Sequence, residues 1–347
     1  MQDTFGRTID YLRISLTDRC NLRCIYCMPE EGVCSLPHDD ILRLEEIEAV
    51  VAAAARLGIK HVRLTGGEPL VRKGVVGLVE RIVQTPSIEE VSLTTNGILL
   101  PSFAYDLKQA GLSRINISLD SLDPDQYHAI TRRGDLTDVF AGIKAAVKAG
   151  FNPVKLNTVV VRELNQDLYK FAQLSQNAPL HIRFIEYMPI GSITHNAICA
   201  WTENDVVPVA EMIKSINTAA CHNDQAPLEA LTPTDPHTPL GWGPATYWRF
   251  PEAQGTVGFI SSVSQHFCAE CNRMRLTADG KIRPCLFSDT EYDIKAALRN
   301  PTALCQANII NDEFDPLEYV LMQAFTHKPK MHNHKIGTIR QMNQVGG

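Results

Sequence analysis

Long hydrophobic runs are missing from this sequence. None of its 347 residues lies in an apolar stretch of about 18 residues, the length that a membrane-spanning helix needs. The first residues also lack the charged-then-apolar pattern of a signal peptide. We therefore expect a cytoplasmic protein without a membrane partner, in a compartment where thiols stay reduced.

An excess of positive charge is missing too. The net charge is -6, so no overall positive field would attract nucleic acid. We expect no nucleic-acid partner, and an anionic substrate would need its own local group of cations. The composition, 44% hydrophobic and 21% charged, is typical of a globular protein.

A G-x-G-x-x-G motif is missing after the first predicted strand, which argues against a dinucleotide-binding fold. Between residues 11 and 189 the hydrophobic pattern instead alternates six times between strand and helix. Such repeats predict a parallel sheet covered by helices, either doubly wound or curled into a barrel. We expect this α/β domain to occupy residues 1–225 and a smaller C-terminal domain to occupy residues 226–347.

Past Met188 the alternation fails. The sequence there is rich in proline, glycine, tryptophan and threonine, which is typical of irregular connections. The pattern predicts one helix from Asn204 to Ile216 and one edge strand between residues 227 and 248. It also predicts a helical tail over residues 302–310 and 317–325.

Six of the ten cysteines form two groups of three. The first trio comprises Cys20, Cys24 and Cys27, and the second trio comprises Cys268, Cys271 and Cys285. Structural zinc sites usually have four protein ligands, and each trio lacks one. In the first trio, three thiolates without a nearby histidine suit an iron–sulfur cluster or zinc, and a cluster held by three cysteines would leave its fourth iron open to a small molecule.

Alternatives to this interpretation stay open at both trios. His266 lies two residues before Cys268 and could complete a zinc site. Cys34 lies near the first trio, although no strong reason favours it as a fourth ligand. The cysteines outside the trios are interpreted as ordinary buried residues. They are Cys34, Cys199, Cys221 and Cys305.

Polar residues and glycines mark the ends of the predicted strands, where parallel sheets place their active sites. Gly66 and Gly67 would let the backbone come close to a ligand, because no Cβ stands in the way. Farther along, Arg273 and Arg275 alternate on a predicted strand and therefore point to one face. Their guanidinium groups would suit phosphate oxygens.

The first trio resembles the signature of radical S-adenosylmethionine (SAM) enzymes, with the aromatic Tyr26 just before the last cysteine. In that family three cysteines hold a [4Fe-4S] cluster, and its open iron binds the amino and carboxylate groups of SAM. The segment Gly66-Gly67-Glu68 resembles the element that receives the SAM amino group. The resemblance implies a partial (β/α)6 barrel of the TIM type.

Stretches along nearly the whole chain resemble the GTP 3',8-cyclases, a radical SAM family of molybdenum cofactor biosynthesis. Among them are "DYLRISLTDRCNLRCIYCMP", "ISSVSQHFCAECNRMRLTADGKIRPCLF" and the terminal "VGG". The resemblance implies two [4Fe-4S] clusters, SAM as cofactor and GTP as substrate. It implies a lyase that forms 3',8-cyclo-7,8-dihydro-GTP after a 5'-deoxyadenosyl radical removes the ribose 3'-hydrogen. It also implies an external electron donor, hand-off to a cyclic pyranopterin monophosphate synthase, and allows a homodimer.

The same resemblance assigns roles to individual residues. The cysteines of the two trios would hold the clusters. SAM would be bound by Tyr26, Gly66, Gly67, Glu68, Ser118 and Met188. GTP would be held by Arg13, Arg63, Thr94, Lys155, Arg273, Met274 and Arg275, with Asn157 and Arg183 as further candidates. Catalysis would be assisted by Arg273, Arg275 and a tail that brings Gly346 and Gly347 into the active site. His61 stands where a Lys or Arg would extend the basic pocket, so its share in binding stays open.

Two other classes remain as alternatives. A radical SAM enzyme that modifies a peptide could also carry an auxiliary cluster in its C-terminal domain. A zinc-binding or nucleic-acid-binding module is a more distant alternative, because the net charge and the strand–helix repeats argue against it. Near the C-terminus, "HKPKMHNHKIG" contains His327, His332 and His334, and we interpret it as a solvated segment in preference to a metal site.

Overall fold

The computed structural model describes residues 1–32, 36–190, 201–239, 241–301, 315–332 and 340–346. Some features that the sequence singled out lie outside these ranges. They are Cys34, Cys199, Cys305, His334, Gly347 and the helix predicted over residues 302–310.

Within the described residues the strands form a single sheet of twelve. The strands are β1 (Tyr11–Ser15), β2 (His61–Thr65), β3 (Glu90–Thr95), β4 (Arg114–Ser118), β5 (Val154–Val160), β6 (Leu180–Glu186), β7 (Glu229–Ala230), β8 (Thr246–Arg249), β9 (Thr256–Ile260), β10 (Arg273–Leu276), β11 (Lys281–Arg283) and β12 (Tyr292–Asp293). Their spatial order is β12-β11-β10-β1-β2-β3-β4-β5-β6-β9-β8-β7.

Helices follow most of the early strands. They are α1 (Leu44–Arg56), α2 (Val75–Val83), α3 (Leu100–Gln109), α4 (Pro124–Thr131), α5 (Leu136–Lys148), α6 (Leu168–Gln173), α7 (Val209–His222), α8 (Ile294–Arg299) and α9 (Pro316–Thr326). Several begin at an aspartate whose carboxylate accepts a hydrogen bond from the first turn, as Asp123, Asp135 and Asp315 do.

The order of the strands distinguishes between the two predicted folds. Strands β1 to β6 are parallel and adjacent in chain order, whereas a doubly wound sheet reverses its order in the middle. The sheet does not close on itself, because β10 flanks β1 while β9 flanks β6. The predicted partial barrel is therefore confirmed.

The C-terminal half of the chain extends both edges of this sheet. Strands β7 to β9 continue the sheet beyond β6, and β10 to β12 continue it beyond β1. One hydrophobic core contains buried residues from Ile9 to Phe325. The domain boundary near residue 225 stays a prediction.

Three details of the sequence prediction were wrong. The helix expected from Asn204 begins at Val209, because Pro208 can precede a helix but cannot lie inside one. Two strands, β7 and β8, lie in the region where one edge strand was expected. Helix α4 was missed, although Asp123 followed by Pro124 is a typical helix start.

Among the described residues, no helix is long and apolar enough to cross a membrane.

Candidate active site

Three arginines lie side by side on the inner face of the sheet. Arg13 on β1 is in register with Arg63 on β2 and with Arg275 on β10. Their neighbours Leu12 and Ile14 point the other way, into the hydrophobic core. The alternation along β1 thus separates an apolar outer face from a cationic inner face.

A second row of polar residues continues this face across β4 to β6. Asn116 on β4, Lys155 on β5 and His181 on β6 are in register. Arg183 lies two residues after His181 on β6 and therefore on the same face. The guanidinium of Arg183 donates to Asn157 Oδ1 at 2.9 Å and to Asn116 Oδ1 at 2.5 Å. Both acceptors are neutral amides, so they orient this cation without cancelling its charge.

The cations on this face disfavour one another's charge. Burial lowers the pKa of Lys155 to about 6, and Arg183, Arg114 and Arg63 contribute to that shift by repulsion. Burial and the charges of Arg275 and Arg63 hold the pKa of Arg13 well below its usual range. A bound polyanion would relieve both the repulsion and the lost hydration.

A cavity of about 340 Å³ opens beside these cations. Its basic wall consists of Arg63, Arg114, Lys155 and Arg183, and its other wall is formed by residues between positions 231 and 247. Trp242 closes one side, because its indole stacks on the His61 imidazole with centroids 3.8 Å apart. The indole N–H donates to Glu90 Oε2 at 3.2 Å. The size is that of a small-molecule site.

The loop after β1 carries the first trio. Cys20 Sγ accepts a hydrogen bond from the main-chain N–H of Leu22 at 3.4 Å. Burial raises the pKa of the Cys20 thiol to about 11 and that of Cys27 to about 12. These thiols would ionise only beside a strongly electrophilic partner, and a sulfur-only donor set suits iron–sulfur chemistry.

The paired glycines lie against this loop. A Cβ on Gly67 would stand 2.3 Å from the carbonyl oxygen of Arg19, and a Cβ on Gly66 would stand 2.7 Å from that of Thr17. Gly67 donates its N–H to Thr17 O at 2.7 Å. Here the close approach that glycine permits is to the cysteine loop itself.

Glu68 has its carboxylate turned inward. It accepts hydrogen bonds from Leu70 N at 3.0 Å, Thr95 Oγ1 at 2.8 Å and Asn96 N at 2.8 Å. Burial raises the pKa of this carboxyl to about 7 despite these donors. The side chain therefore ties the end of β2 to the end of β3.

The other residues predicted to bind SAM lie at the same end of the sheet. Tyr26 donates its hydroxyl to Asp120 Oδ2 at 2.5 Å and stacks on Trp201. Ser118 ends β4, and Met188 follows β6. The structure thus brings these residues and the first trio to the C-terminal ends of the strands.

The second trio lies at the opposite end of β1 and β10. Cys271 precedes Arg273, which is paired with Tyr11 at the start of β1. The two trios therefore lie toward opposite ends of β1 in the sheet. The row of Arg13, Arg63 and Arg275 lies between them.

No group of three His, Cys, Asp or Glu side chains in the described ranges converges on a single metal ion. A four-iron cluster distributes its thiolates over separate irons, so its ligands need not converge in this way. The ring of His266 instead packs edge-on against His332, with centroids 4.5 Å apart.

Residues 343–346 lie between the arginine row and the first cysteine loop. Thr65 Oγ1 donates to Gly346 O at 3.3 Å, and Arg275 Nη1 donates to the carbonyls of Val345 and Gly346 at 3.2 Å. Asn343 donates its side-chain amide to Asp18 O at 3.2 Å. The tail thus contacts both the arginine row and the first cysteine loop.

Two other sequence predictions look different in the structure. Met274 packs its side chain into the hydrophobic core, so a contact with a nucleotide would have to come from its main chain. Thr94 has a buried hydroxyl without a hydrogen-bond partner among the described atoms.

Sequence reasoning gave no role to several side chains that shape the site. Tyr247 accepts a hydrogen bond from Lys155 at 3.4 Å, Trp242 covers the cavity, and Asp120 anchors Tyr26. Of these, only Asp120 could have been predicted from the local sequence, because it stands at the end of a predicted strand. The aromatic residues come from the irregular segment in which no site was expected.

Comparison with known proteins shows to which class of protein this chain belongs. A family model described as the radical SAM superfamily matches residues 14–174, and one described as Molybdenum Cofactor Synthesis C matches residues 180–334. The solved structure of Streptococcus suis SuiB bound to S-adenosylmethionine has a TM-score of 0.56 at 14% identity. It covers 94% of this chain and 76% of that chain, and at this identity it supports the fold alone. The fold and the family model over residues 14–174 together assign the chain to the radical SAM class.

Full-length relatives narrow the class. A curated GTP 3',8-cyclase from Pelotomaculum thermopropionicum is 51% identical over 350 residues, and one from Moorella thermoacetica is 48% identical over 351 residues. Each match covers 100% of this chain and 100% of the relative. The chain belongs to the GTP 3',8-cyclase family. Membership in a radical SAM family implies one [4Fe-4S] cluster and SAM, for which the first trio is the fitting donor set.

Proposed function

We propose that this chain is a lyase that converts GTP to 3',8-cyclo-7,8-dihydro-GTP, the first step of molybdenum cofactor biosynthesis. The observation that carries this proposal is the row of Arg63, Arg13 and Arg275 between the two cysteine trios. A triphosphate has several negative charges, and guanidinium groups bind its oxygens with short, charge-assisted hydrogen bonds. The family membership supports GTP as the nucleotide.

We assign the first cluster to Cys20, Cys24 and Cys27 and a second [4Fe-4S] cluster to Cys268, Cys271 and Cys285. The chemistry that SAM and the first cluster supply when bound is a 5'-deoxyadenosyl radical, which removes the ribose 3'-hydrogen. The second trio lies beside Arg273 and would hold the guanine end of the substrate. Its sulfur-only donor set fits a cluster in the same way as that of the first trio.

The protein's own residues position the substrate and keep out water. Lys155 and Arg183 extend the cationic face toward the cavity, so we assign the phosphates to this region. The tail at Val345 and Gly346 covers the space between Thr65 and Arg275. Excluding solvent from this space matters because a primary radical attacks whatever lies nearest.

We further propose an external electron donor for the first cluster, hand-off of the product to a cyclic pyranopterin monophosphate synthase, and a cytoplasmic location. A homodimer is compatible with the fold. The alternative of a peptide-modifying radical SAM enzyme is not favoured, because the full-length relatives are GTP 3',8-cyclases and the SuiB likeness concerns the fold alone.

The proposal is tested by anaerobic reconstitution with iron and sulfide, followed by incubation with SAM, dithionite and a substrate. We expect 5'-deoxyadenosine to form with GTP and not with ATP or with peptides. The matched control is guanosine, which carries the base and ribose without phosphates. Equal 5'-deoxyadenosine formation from ATP, or none from GTP in iron-loaded protein, would contradict the proposed substrate.

A further inference from the structure

The segment 328–330, which sequence analysis interpreted as solvated, contains a buried cation. Lys328 is 3% exposed, whereas Lys330 two residues later is exposed. The expectation of a solvated segment is therefore wrong at Lys328. An ammonium is expensive to bury unless hydrogen-bond acceptors surround it.

Lys328 Nζ connects the strand segments that carry two of the second-trio cysteines. It donates to Arg273 O at 2.7 Å, two residues beyond Cys271, and to Pro284 O at 2.7 Å, immediately before Cys285. Both described hydrogen bonds of the ammonium therefore go to main chain that flanks the second trio.

Arg7 fixes the main chain of the same segment. Its guanidinium donates to Cys268 O at 2.8 Å and to Pro329 O at 2.8 Å, and it forms an ion pair with Asp3 at 2.6 Å. The chain's first residues thus hold the segment of Lys328 against the remaining cysteine of the trio. The ammonium of Lys328 is held by its own hydrogen bonds, and the main chain next to it is held by Arg7.

The first trio also has a cation beside its main chain, because Arg23 donates to Cys20 O at 2.6 Å and to Leu22 O at 2.7 Å. Arg23 is only partly buried, and the described hydrogen bonds to Cys20 Sγ come from neutral groups, the Leu22 N–H at 3.4 Å and the Asn96 amide at 3.9 Å. A buried positive charge beside an iron–sulfur cluster favours the reduced form, because reduction adds negative charge, and it therefore raises the reduction potential. Lys328 is more deeply buried than Arg23, so its charge is less screened by water.

We propose that Lys328 is a positioning residue that raises the reduction potential of the second cluster through its buried positive charge, held on the main chain next to Cys271 and Cys285, and makes the open iron a stronger acceptor for a nitrogen or oxygen ligand. This inference rests on the second cluster of the proposed function. Lys328 acts on the cluster by its charge, without touching the substrate.

The test compares four full-length proteins after anaerobic reconstitution: the unaltered protein, Lys328→Met, Lys328→Arg and Lys330→Met. Lys330 is the matched control, because it belongs to the same segment and only its main chain is in contact with Arg7. Iron and sulfide are counted, and each cluster's midpoint potential is measured by redox titration with electron paramagnetic resonance.

We expect Lys328→Met to lower the potential of the second cluster only. At the potential where that cluster is half reduced in the unaltered protein, its reduced-to-oxidised ratio should fall about tenfold, which is about 59 mV for one electron. Lys328→Arg should restore most of the shift, and Lys330→Met should leave both potentials unchanged. An unchanged second potential in iron-loaded Lys328→Met overturns the inference.

If Lys328→Met does not retain its second cluster, Lys328→Gln decides the question, because it keeps a hydrogen-bond donor and removes the charge. A lowered potential in that variant supports the inference, and an unchanged potential overturns it. Failure of the underlying assignment looks different. The unaltered protein would then hold about four irons and show a single cluster signal, and no Lys328 variant would be needed to see it.

Discussion

His61 and Trp242 stack face to face, with ring centroids 3.8 Å apart and planes inclined by 14°. The imidazole is 1% exposed, and neither ring nitrogen has a hydrogen-bond partner among the described atoms. The pair joins the start of β2 to the irregular segment before β8. It therefore holds that segment over the cationic cavity.

Removing the Trp242 indole should loosen the segment that covers the cationic cavity. Aromatic pairs contribute about 0.5–1.5 kcal/mol, so Trp242→Ala should weaken GTP binding by roughly two- to tenfold in calorimetric titrations. Trp242→Phe keeps a ring against His61 and should stay close to the unaltered protein. Identical affinities for the Ala and Phe variants would show that the stack does not support the nucleotide site.

Each trio should hold its own cluster. We expect about eight irons in the reconstituted protein, four for each cluster. Cys24→Ala should lose about half of the iron and all SAM cleavage, because it removes a ligand of the first cluster. Cys271→Ala should keep the first cluster and weaken GTP binding. Iron analysis and 5'-deoxyadenosine formation check both variants, and SAM cleavage by Cys24→Ala would contradict the assignment.

Arg275 should bind phosphate oxygens. Losing a hydrogen bond to a charged group costs about 1.5–3 kcal/mol, so Arg275→Ala should weaken GTP binding roughly ten- to a hundredfold. Guanosine, which lacks phosphates, should bind nearly as before, and the iron content should not change.

Arg275 also donates to Val345 and Gly346, so release of the tail has to be separated from loss of a phosphate contact. A protein truncated after Gln344 provides that control, since it removes both acceptors in the tail and keeps the guanidinium. Equal losses for GTP and guanosine in Arg275→Ala would mean that this arginine is structural.

Lys155 should make nucleotide binding depend on pH. Burial lowers its pKa from 10.5 to about 6, so the free protein holds it neutral above that pH. A triphosphate favours the ammonium, and binding should therefore take up a proton at about pH 8. Calorimetry in buffers of different ionisation enthalpy measures this uptake. Lys155→Met is the reference, because the proton uptake that remains in this variant belongs to the nucleotide and can be subtracted.

The same shift has a consequence for stability. Between pH 6 and 10.5 the unfolded chain holds a proton on Lys155 that the folded chain lacks, so this residue makes the free energy of unfolding rise with pH across that window. Lys155→Met should raise the melting temperature most at about pH 6 and progressively less toward alkaline pH. A constant difference at every pH would argue against the lowered pKa.

Gly346 should not tolerate a side chain. Its φ is +75°, and a Cβ would stand 2.6 Å from Thr65 Oγ1. A non-glycine residue in this conformation costs about 1–3 kcal/mol, and the clash adds to it. Gly346→Ala should displace the tail and reduce turnover while SAM binding is kept.

Gly6→Ala is the matched control, because Gly6 has φ +78° and a Cβ there would meet nothing within 4 Å. Turnover with GTP and equilibrium binding of SAM distinguish the two variants. Loss of turnover in both would assign the effect to backbone strain in general and not to the contact of the tail with Thr65.

Local patterns were enough to predict six strand–helix units and to single out the two cysteine trios, and the family resemblance then favoured a partial barrel over a doubly wound sheet. The inner and outer faces of a strand alternate every second residue, as in Arg13 between Leu12 and Ile14, so the strand–helix rhythm can be read from short stretches. The cysteine spacings are local as well. This is why β1 to β6, the first trio and the pair Arg273 and Arg275 could be predicted without a structure.

Which distant residues meet could be seen only in the folded chain. The register of β10 beside β1 joins Arg275 to Arg13. The pairings of β9 with β6 and of β8 with β9 bring Tyr247 to Lys155. The burial of Lys328 was equally invisible, because a lysine in a polar stretch is normally solvated. Such contacts depend on how strands far apart in the chain pair and pack, and short-range patterns contain no record of that pairing.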